Sequence, residues 1–246
     1  MTAILFTAFG ACTLVPYISF RCKKKLMPGI LLKVATSIFF ILTTSAAILI
    51  REPVPFEVGP GLYETYKFLF FGVLLGQVFG LMGDFWLDMK DMYLEHKDTY
   101  IFSGFICFLI GHLFFIAGLL KTYGANWDTR QYLLILGGGA VLCGGVLLTE
   151  KPMKLAYGKF KGITAAYSAV FGASIAAAFC SWYFGGKNPQ PLVMTIGLVI
   201  FLLSDLVLSG TFFGKGKDRP ADYILNYIFY FGGQFTIALS LLVVGQ

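Results

Sequence analysis

Two aspartates stand inside or at the end of long apolar runs: Asp84 in Phe79-Gly-Leu-Met-Gly-Asp-Phe-Trp-Leu87 and Asp205 in Ile200-Phe-Leu-Leu-Ser-Asp-Leu-Val-Leu208. A carboxylate there costs several kcal/mol, roughly 2.5 to 3.5 on insertion scales, unless it faces a polar cavity. Two carboxyls in one cavity of low dielectric repel as anions, so one keeps its proton while the other stays ionised. Such a pair supplies a general acid with an anionic partner, or stations on a proton or substrate path.

The elements that must position them are read from composition. With 57% hydrophobic and 13% charged residues, and a mean hydropathy of +0.77, the chain is far from the soluble average of about 25% charged. Eight runs approach or exceed the roughly 20 apolar residues a bilayer-spanning helix needs: Ala3 to Phe20, Ile30 to Ile50, Tyr63 to Leu87, Ile101 to Leu120, Gln131 to Leu148, Gly162 to Phe184, Leu192 to Phe213 and Tyr223 to Val244. They are continuous rather than alternating, which predicts helices and not a barrel. The expected fold is an all-α integral membrane protein, one domain over residues 1–246 with eight transmembrane helices in a single bundle.

No basic residue precedes the first run and Arg21, Lys23, Lys24 and Lys25 follow it, the reverse of a secretory signal, so it is expected to stay as helix 1. Thirteen Lys and Arg fall in the odd connections against four in the even ones. This predicts odd loops in the cytoplasm and both termini outside. The net charge of +6 is thus mainly a topology signal and gives no reason to invoke nucleic acid. Cys12, Cys22, Cys107, Cys143 and Cys180 lack paired spacing and read as core thiols. Trp86, Trp127 and Trp182 read as interfacial anchors. Gly137-Gly-Gly-Ala-Val-Leu-Cys-Gly-Gly145 has no strand before it, so it predicts close helix packing and not a phosphate loop.

Helices 3 and 4 resemble helices 7 and 8. Gly83-Asp84 matches Ser204-Asp205, and Gly111-His112 matches Gly233-Gln234, with the second polar residue 28 positions after the first aspartate and 29 after the other. Four helices separate the copies, as in a parallel repeat. On the expected topology Asp84, Asp205, Lys33 and Tyr167 fall in the inner half of the membrane, with His112 and Gln234 near its middle. These groups and Tyr230 are candidates to line one cavity open to the cytoplasmic leaflet. Plainer readings stand beside them. Asp84 is then a solvated helix-end carboxylate, His112 a packing histidine, Lys33 a snorkelling lysine, and Tyr167, Tyr230 and Gln234 interhelical hydrogen-bonding groups. Asp88, Asp91, Glu95, His96 and Asp98 read as an ordinary wet loop.

Gly83-Asp84 with Leu87, Gly104-x-x-x-Phe108-x-x-x-His112, Ser204-Asp205-x-x-Leu208, Tyr230-Phe-Gly-Gly-Gln234, Leu32-Lys33 and Tyr167 together resemble the YhhN/TMEM86 family of eight-helix membrane proteins. The likeness covers nearly the whole chain, in motifs that are short singly and specific in their order. Val34 departs from it, standing where the family often has a proline. Characterised members are lysoplasmalogenases, so the resemblance implies hydrolysis of the vinyl ether of a lysoplasmalogen to a fatty aldehyde and a glycerophospho-base. It implies a lysophospholipid substrate and membrane lipids as partners, no cofactor, and residence in a bacterial inner membrane or the endoplasmic reticulum. Vinyl ether cleavage begins with protonation of the β-carbon and needs a carboxylic acid beside an anionic carboxylate. Asp205, in the more apolar surroundings, is the expected acid and Asp84 the anion. His112 would orient water or a carboxylate, Gln234 and Tyr230 would donate neutral hydrogen bonds, and Lys33 would hold the substrate phosphate as a point charge. Two other readings are a hydrolytic metal held by Asp84, Asp205 and His112, and a transporter or lipid-binding protein. From the residues without the resemblance, the transporter ranks first.

Overall fold

The computed structural model describes residues 1–50, 62–214 and 219–245; Arg51, Lys215 and Lys217, three of the charges in the loop count, lie outside them. Among the described residues are eight helices long and apolar enough to cross a membrane. They are α1 (Thr2–Cys22), α2 (Leu26–Leu49), α3 (Leu62–Met92), α4 (Lys97–Tyr123), α5 (Thr129–Thr149), α6 (Lys161–Phe184), α7 (Pro189–Phe213) and α8 (Pro220–Ser240). Elsewhere the described chain forms short turns, with one isolated antiparallel bridge, Leu155 to Gly214, that ties the α5–α6 connection to the end of α7.

The helix starts follow local chemistry. Asp128 caps α5 by accepting from the Arg130 N–H at 2.8 Å, while its own N–H donates to Gln131 at 3.1 Å. Asn188 caps α7 in the same way, accepting from the Gln190 N–H at 3.0 Å with Pro189 at the first helical position. Beyond the end of α5, Glu150 accepts from the Lys161 ammonium at 2.7 Å, and that hydrogen bond holds its carboxyl below the usual range.

Neighbouring helices pair as hairpins, α1 with α2, α3 with α4, α5 with α6 and α7 with α8, and further contacts join α2–α3, α4–α6, α6–α7 and α8–α2. The result is a closed circuit of α2, α3, α4, α6, α7 and α8, with α1 packed on α2 and α8, and α5 on α6. Advancing each helix of the circuit by four returns the same set of neighbours.

The α3/α4 and α7/α8 crossings are built alike. A Cβ on Gly111 would sit 2.8 Å from the Gly76 carbonyl, and one on Gly233 would sit 2.8 Å from the Gly197 carbonyl. Gly76 and Gly197 each stand two turns before the aspartate of their helix, so close backbone contact there brings both aspartates toward the same end of the bundle. In the glycine-rich part of α5, Gly138 and Gly139 meet Gly172, Ala169 and Ala176 of α6, whereas Gly137, Gly144 and Gly145 face open space. Helix packing thus uses two of the five glycines of that motif.

Two expectations change. Helix α3 continues to Met92, so Asp88, Lys90 and Asp91 lie on a helix and not in a wet loop; Glu95, His96 and Asp98 are exposed as expected. Cys107 and Cys180 are buried thiols, but Cys12 is exposed on the outer face of α1.

Gly111→Ala and Gly233→Ala are expected to destabilise the protein by about 1–3 kcal/mol each, the usual cost of overpacking. Gly144→Ala, which meets no neighbour within 4 Å, is expected to be neutral or mildly stabilising. Thermal unfolding in detergent measures all three. For topology, single cysteines placed at Lys23 and Lys154 in a background freed of native cysteines should react with an impermeant thiol reagent from the cytoplasmic side. One placed at Lys187 should react from the other. The reverse pattern overturns the orientation.

Candidate functional site

Lys33 and Ser37 lie one turn apart on α2 and face Asp84 and Asp88, one turn apart on α3. The Lys33 ammonium stands 3.2 Å from Asp84 Oδ1 and 3.3 Å from Asp88 Oδ1. Ser37 Oγ and the Tyr230 hydroxyl each donate to Asp84 Oδ2 at 2.7 Å. Asp84 is 2% exposed and Asp88 3%. Three buried groups from two neighbouring helices thus surround the Asp84 carboxylate, with a cation on one oxygen and two hydroxyl donors on the other.

Asp205 is served differently. Its Oδ2 accepts from the Tyr167 hydroxyl at 2.5 Å, and no cation pairs with it among the described residues. Behind it the Asn226 amide donates to the Ser204 carbonyl at 2.9 Å and approaches Ser204 Oγ at 3.0 Å, fixing α8 against α7.

Both carboxyls line one cavity of about 330 Å³, to which all eight helices contribute. It reaches the end of the bundle that carries the odd connections, where Arg21, Lys90, Asp91 and Lys97 border it. One wall is charged and hydroxylic and comes mainly from α1, α2, α3 and α8. The other is apolar, with Phe105 and Phe108 of α4, Leu142 of α5, Phe171 of α6 and Phe201 of α7.

Lys33, Asp84, Tyr167, Asp205 and Tyr230 of the expected site therefore converge on this cavity. His112 and Gln234 are one layer behind it. The His112 ring stacks on Phe171 at 4.1 Å between centroids and its Nδ1 is 3.1 Å from Ser174 Oγ. Gln234 belongs to a ladder in which Thr44 Oγ1 donates to Gln77 Oε1 at 2.5 Å and Gln77 Nε2 donates to the Gln234 carbonyl at 2.9 Å. Lys33, expected at the substrate phosphate, is engaged by two carboxylates inside the protein. No three His, Cys, Asp or Glu side chains are grouped to hold a metal ion among the described residues, and His112 does not converge with the two aspartates.

Several cavity residues went unrecognised in the sequence. Arg21, counted as a loop charge, is buried and ion-paired with Asp91, to which Lys90 also donates at 2.9 Å. Lys90 in turn lies over the Phe212 ring at 4.7 Å. The signal was present: Asp84, Asp88 and Asp91 recur at i, i+4 and i+7, the spacing of one helix face, as do Tyr223, Asn226, Tyr227 and Tyr230 on α8.

Fold and site together define a multi-pass membrane protein with one buried and one half-buried carboxyl, of unlike surroundings, over a shared amphipathic cavity. The chain belongs to the YhhN family, whose model matches residues 30–241. None of the curated proteins and none of the solved structures matches it.

The ion network sets a stability test. Lys33→Met leaves Asp84 and Asp88 buried without their shared cation and is expected to cost about 3–5 kcal/mol, as when one partner of a buried pair is removed. Asp205→Asn removes a carboxyl without a cation, and its melting temperature in detergent should stay level or rise. Equal losses in both variants would mean that the two carboxyls are held alike.

Proposed function

We propose that the protein is a membrane-embedded lysoplasmalogenase, hydrolysing the vinyl ether of a lysoplasmalogen to a fatty aldehyde and a glycerophospho-base. Family membership is consistent with this chemistry. The observation that carries the reading is the unlike setting of Asp84 and Asp205 over one cavity. Asp84, with an ammonium at 3.2 Å and two hydroxyl donors, is built to remain an anion. Asp205, with Tyr167 as donor and an apolar wall around it, is suited to carry a proton.

In the reaction Asp205 gives that proton to the β-carbon of the vinyl ether. The π pair forms the new C–H bond, and the α-carbon becomes an oxocarbenium ion stabilised by the Asp84 anion. Asp84 then takes a proton from water as the water oxygen bonds to the α-carbon, giving a hemiacetal. Collapse breaks the bond between that carbon and the glycerol oxygen, which takes the proton held by Asp84, while the hydroxyl gives its proton to Asp205 and becomes the aldehyde carbonyl, so that both carboxyls return to their starting states. The acid sits in the apolar wall and the anion in the charged wall. A single-chain lipid placed with its hydrocarbon on the first and its headgroup on the second sets its vinyl ether between them. We further propose that the two halves are copies of a four-helix unit, each supplying one carboxyl from the third helix.

Purified protein in detergent should release aldehyde from a vinyl ether lysolipid and leave the saturated alkyl ether analogue intact, since an alkyl ether forms no oxocarbenium ion by carbon protonation. Asp84→Asn and Asp205→Asn should each lower turnover by at least about 10²-fold, the scale of a positioned acid or base. Wild-type turnover should be slower in heavy water and indifferent to chelators. Binding without product would favour the transporter reading, and comparable turnover of an ester lysolipid would replace this mechanism with acyl hydrolysis.

A further inference from the structure

Lys33 engages one oxygen of Asp88, Oδ1 at 3.3 Å. The second oxygen, Oδ2, is buried and has no hydrogen-bond donor among the described residues, although Asp88 lines the cavity. A buried carboxylate oxygen without a donor is a cost that a ligand N–H or O–H removes. The charges around it are otherwise matched. Arg21, Lys33 and Lys90 are paired with Asp84, Asp88 and Asp91. Lys97 borders the same cavity, exposed and in no ion pair among the described residues. The charged wall thus offers a buried acceptor and, at its rim, a cation. This is the complement of a zwitterion.

We propose that Asp88 Oδ2 is the acceptor for the headgroup ammonium of the lysolipid, with Lys97 facing its phosphate, and that the need for an N–H selects ethanolamine-type headgroups over trimethylammonium ones. The proposal rests on the lysolipid reading above. A trimethylammonium group has no N–H to give Oδ2 and is best held by a set of aromatic faces. One ring of the charged wall, Tyr227, already has the Lys33 ammonium over it at 5.9 Å. Asp88 stands one helical turn from Asp84, so headgroup capture there keeps the glycerol end of the lipid next to the proposed anion.

The test uses binding of uncleavable saturated alkyl ether lysolipids to the full-length protein in detergent, with the headgroup nitrogen carrying none, one, two or three methyl groups. Affinity should hold nearly level while an N–H remains and fall about tenfold or more at the third methyl, the scale of one charged hydrogen bond. Asp88→Ala should weaken the first three ligands more than the fourth, which loses only charge attraction, and so flatten the series. Asp88→Asn, which keeps the size and an acceptor oxygen, should shrink the step if the alanine variant does not fold. A smooth decline with each methyl, a flat wild-type series, or an equal loss for all four ligands in the Asp88 variants overturns the proposal. Because the ligands are not cleaved, a retained step without vinyl ether hydrolysis would count against the enzyme reading alone. Hydrolysis with a flat series would count against the headgroup site alone.

Discussion

Lys33 brings a full charge into the interior of the bundle and is met there by Asp84 at 3.2 Å and Asp88 at 3.3 Å. Desolvating an ammonium costs several kcal/mol, and attraction to carboxylates recovers this only when the geometry is good and the remaining lone pairs are satisfied. Ser37 and Tyr230 complete Asp84 in that way. The requirement fixes the register of α2 against α3 and sets the rotation of α8, since moving any one of the three breaks the set. It also leaves the second oxygen of Asp88 over, because one ammonium cannot satisfy both carboxylates fully.

The opposite half of the bundle shows the same backbone solution with different side chains. Gly76 and Gly111 make the α3/α4 approach, and Gly197 and Gly233 the α7/α8 approach. Asp84 and Asp205 follow at the same offset from the first glycine of each pair. The partners diverge, Asp84 meeting the Lys33 ammonium and the Ser37 and Tyr230 hydroxyls, and Asp205 the Tyr167 hydroxyl. A common backbone frame therefore presents two carboxyls, while unlike partners, an ammonium and two hydroxyls against a single phenol, give them different electrostatics.

Much of this was legible in the sequence, because a membrane imposes strong one-dimensional rules. The eight spans, Asp84 and Asp205 as costly carboxyls, and the convergence of Lys33, Tyr167 and Tyr230 with them were all open to reading from apolar run lengths, burial cost and motif order. Sequence pattern places Arg21, Asp88 and Asp91 among the solvated loop charges. A charge next to a span end has two outcomes, solvation or pairing across helices, and local pattern does not choose between them. Arg21 meets Asp91 seventy residues away, a contact that depends on how α1 and α3 assemble. His112 shows the converse: its polarity and mid-span position drew it into the expected site, yet its ring is placed by stacking on Phe171 and by Ser174. An imidazole presents an apolar face as well as two nitrogens, and the face decided its position.

The division of the cavity into two walls bears on why the two carboxyls are not equivalent. A carboxylic acid keeps its proton most readily where no cation and few donors stabilise the anion, which is the side of Phe171 and Phe201. An anion persists where an ammonium and hydroxyls stabilise it, which is the side of α2, α3 and α8. An amphipathic single-chain ligand is sorted by the same two walls, its chain to the first and its headgroup to the second. In the proposed reaction the bond to be cleaved is the one joining chain to glycerol. On that proposal the forces that orient the lipid are those that separate acid from anion, and binding and protonation state follow from one charge distribution.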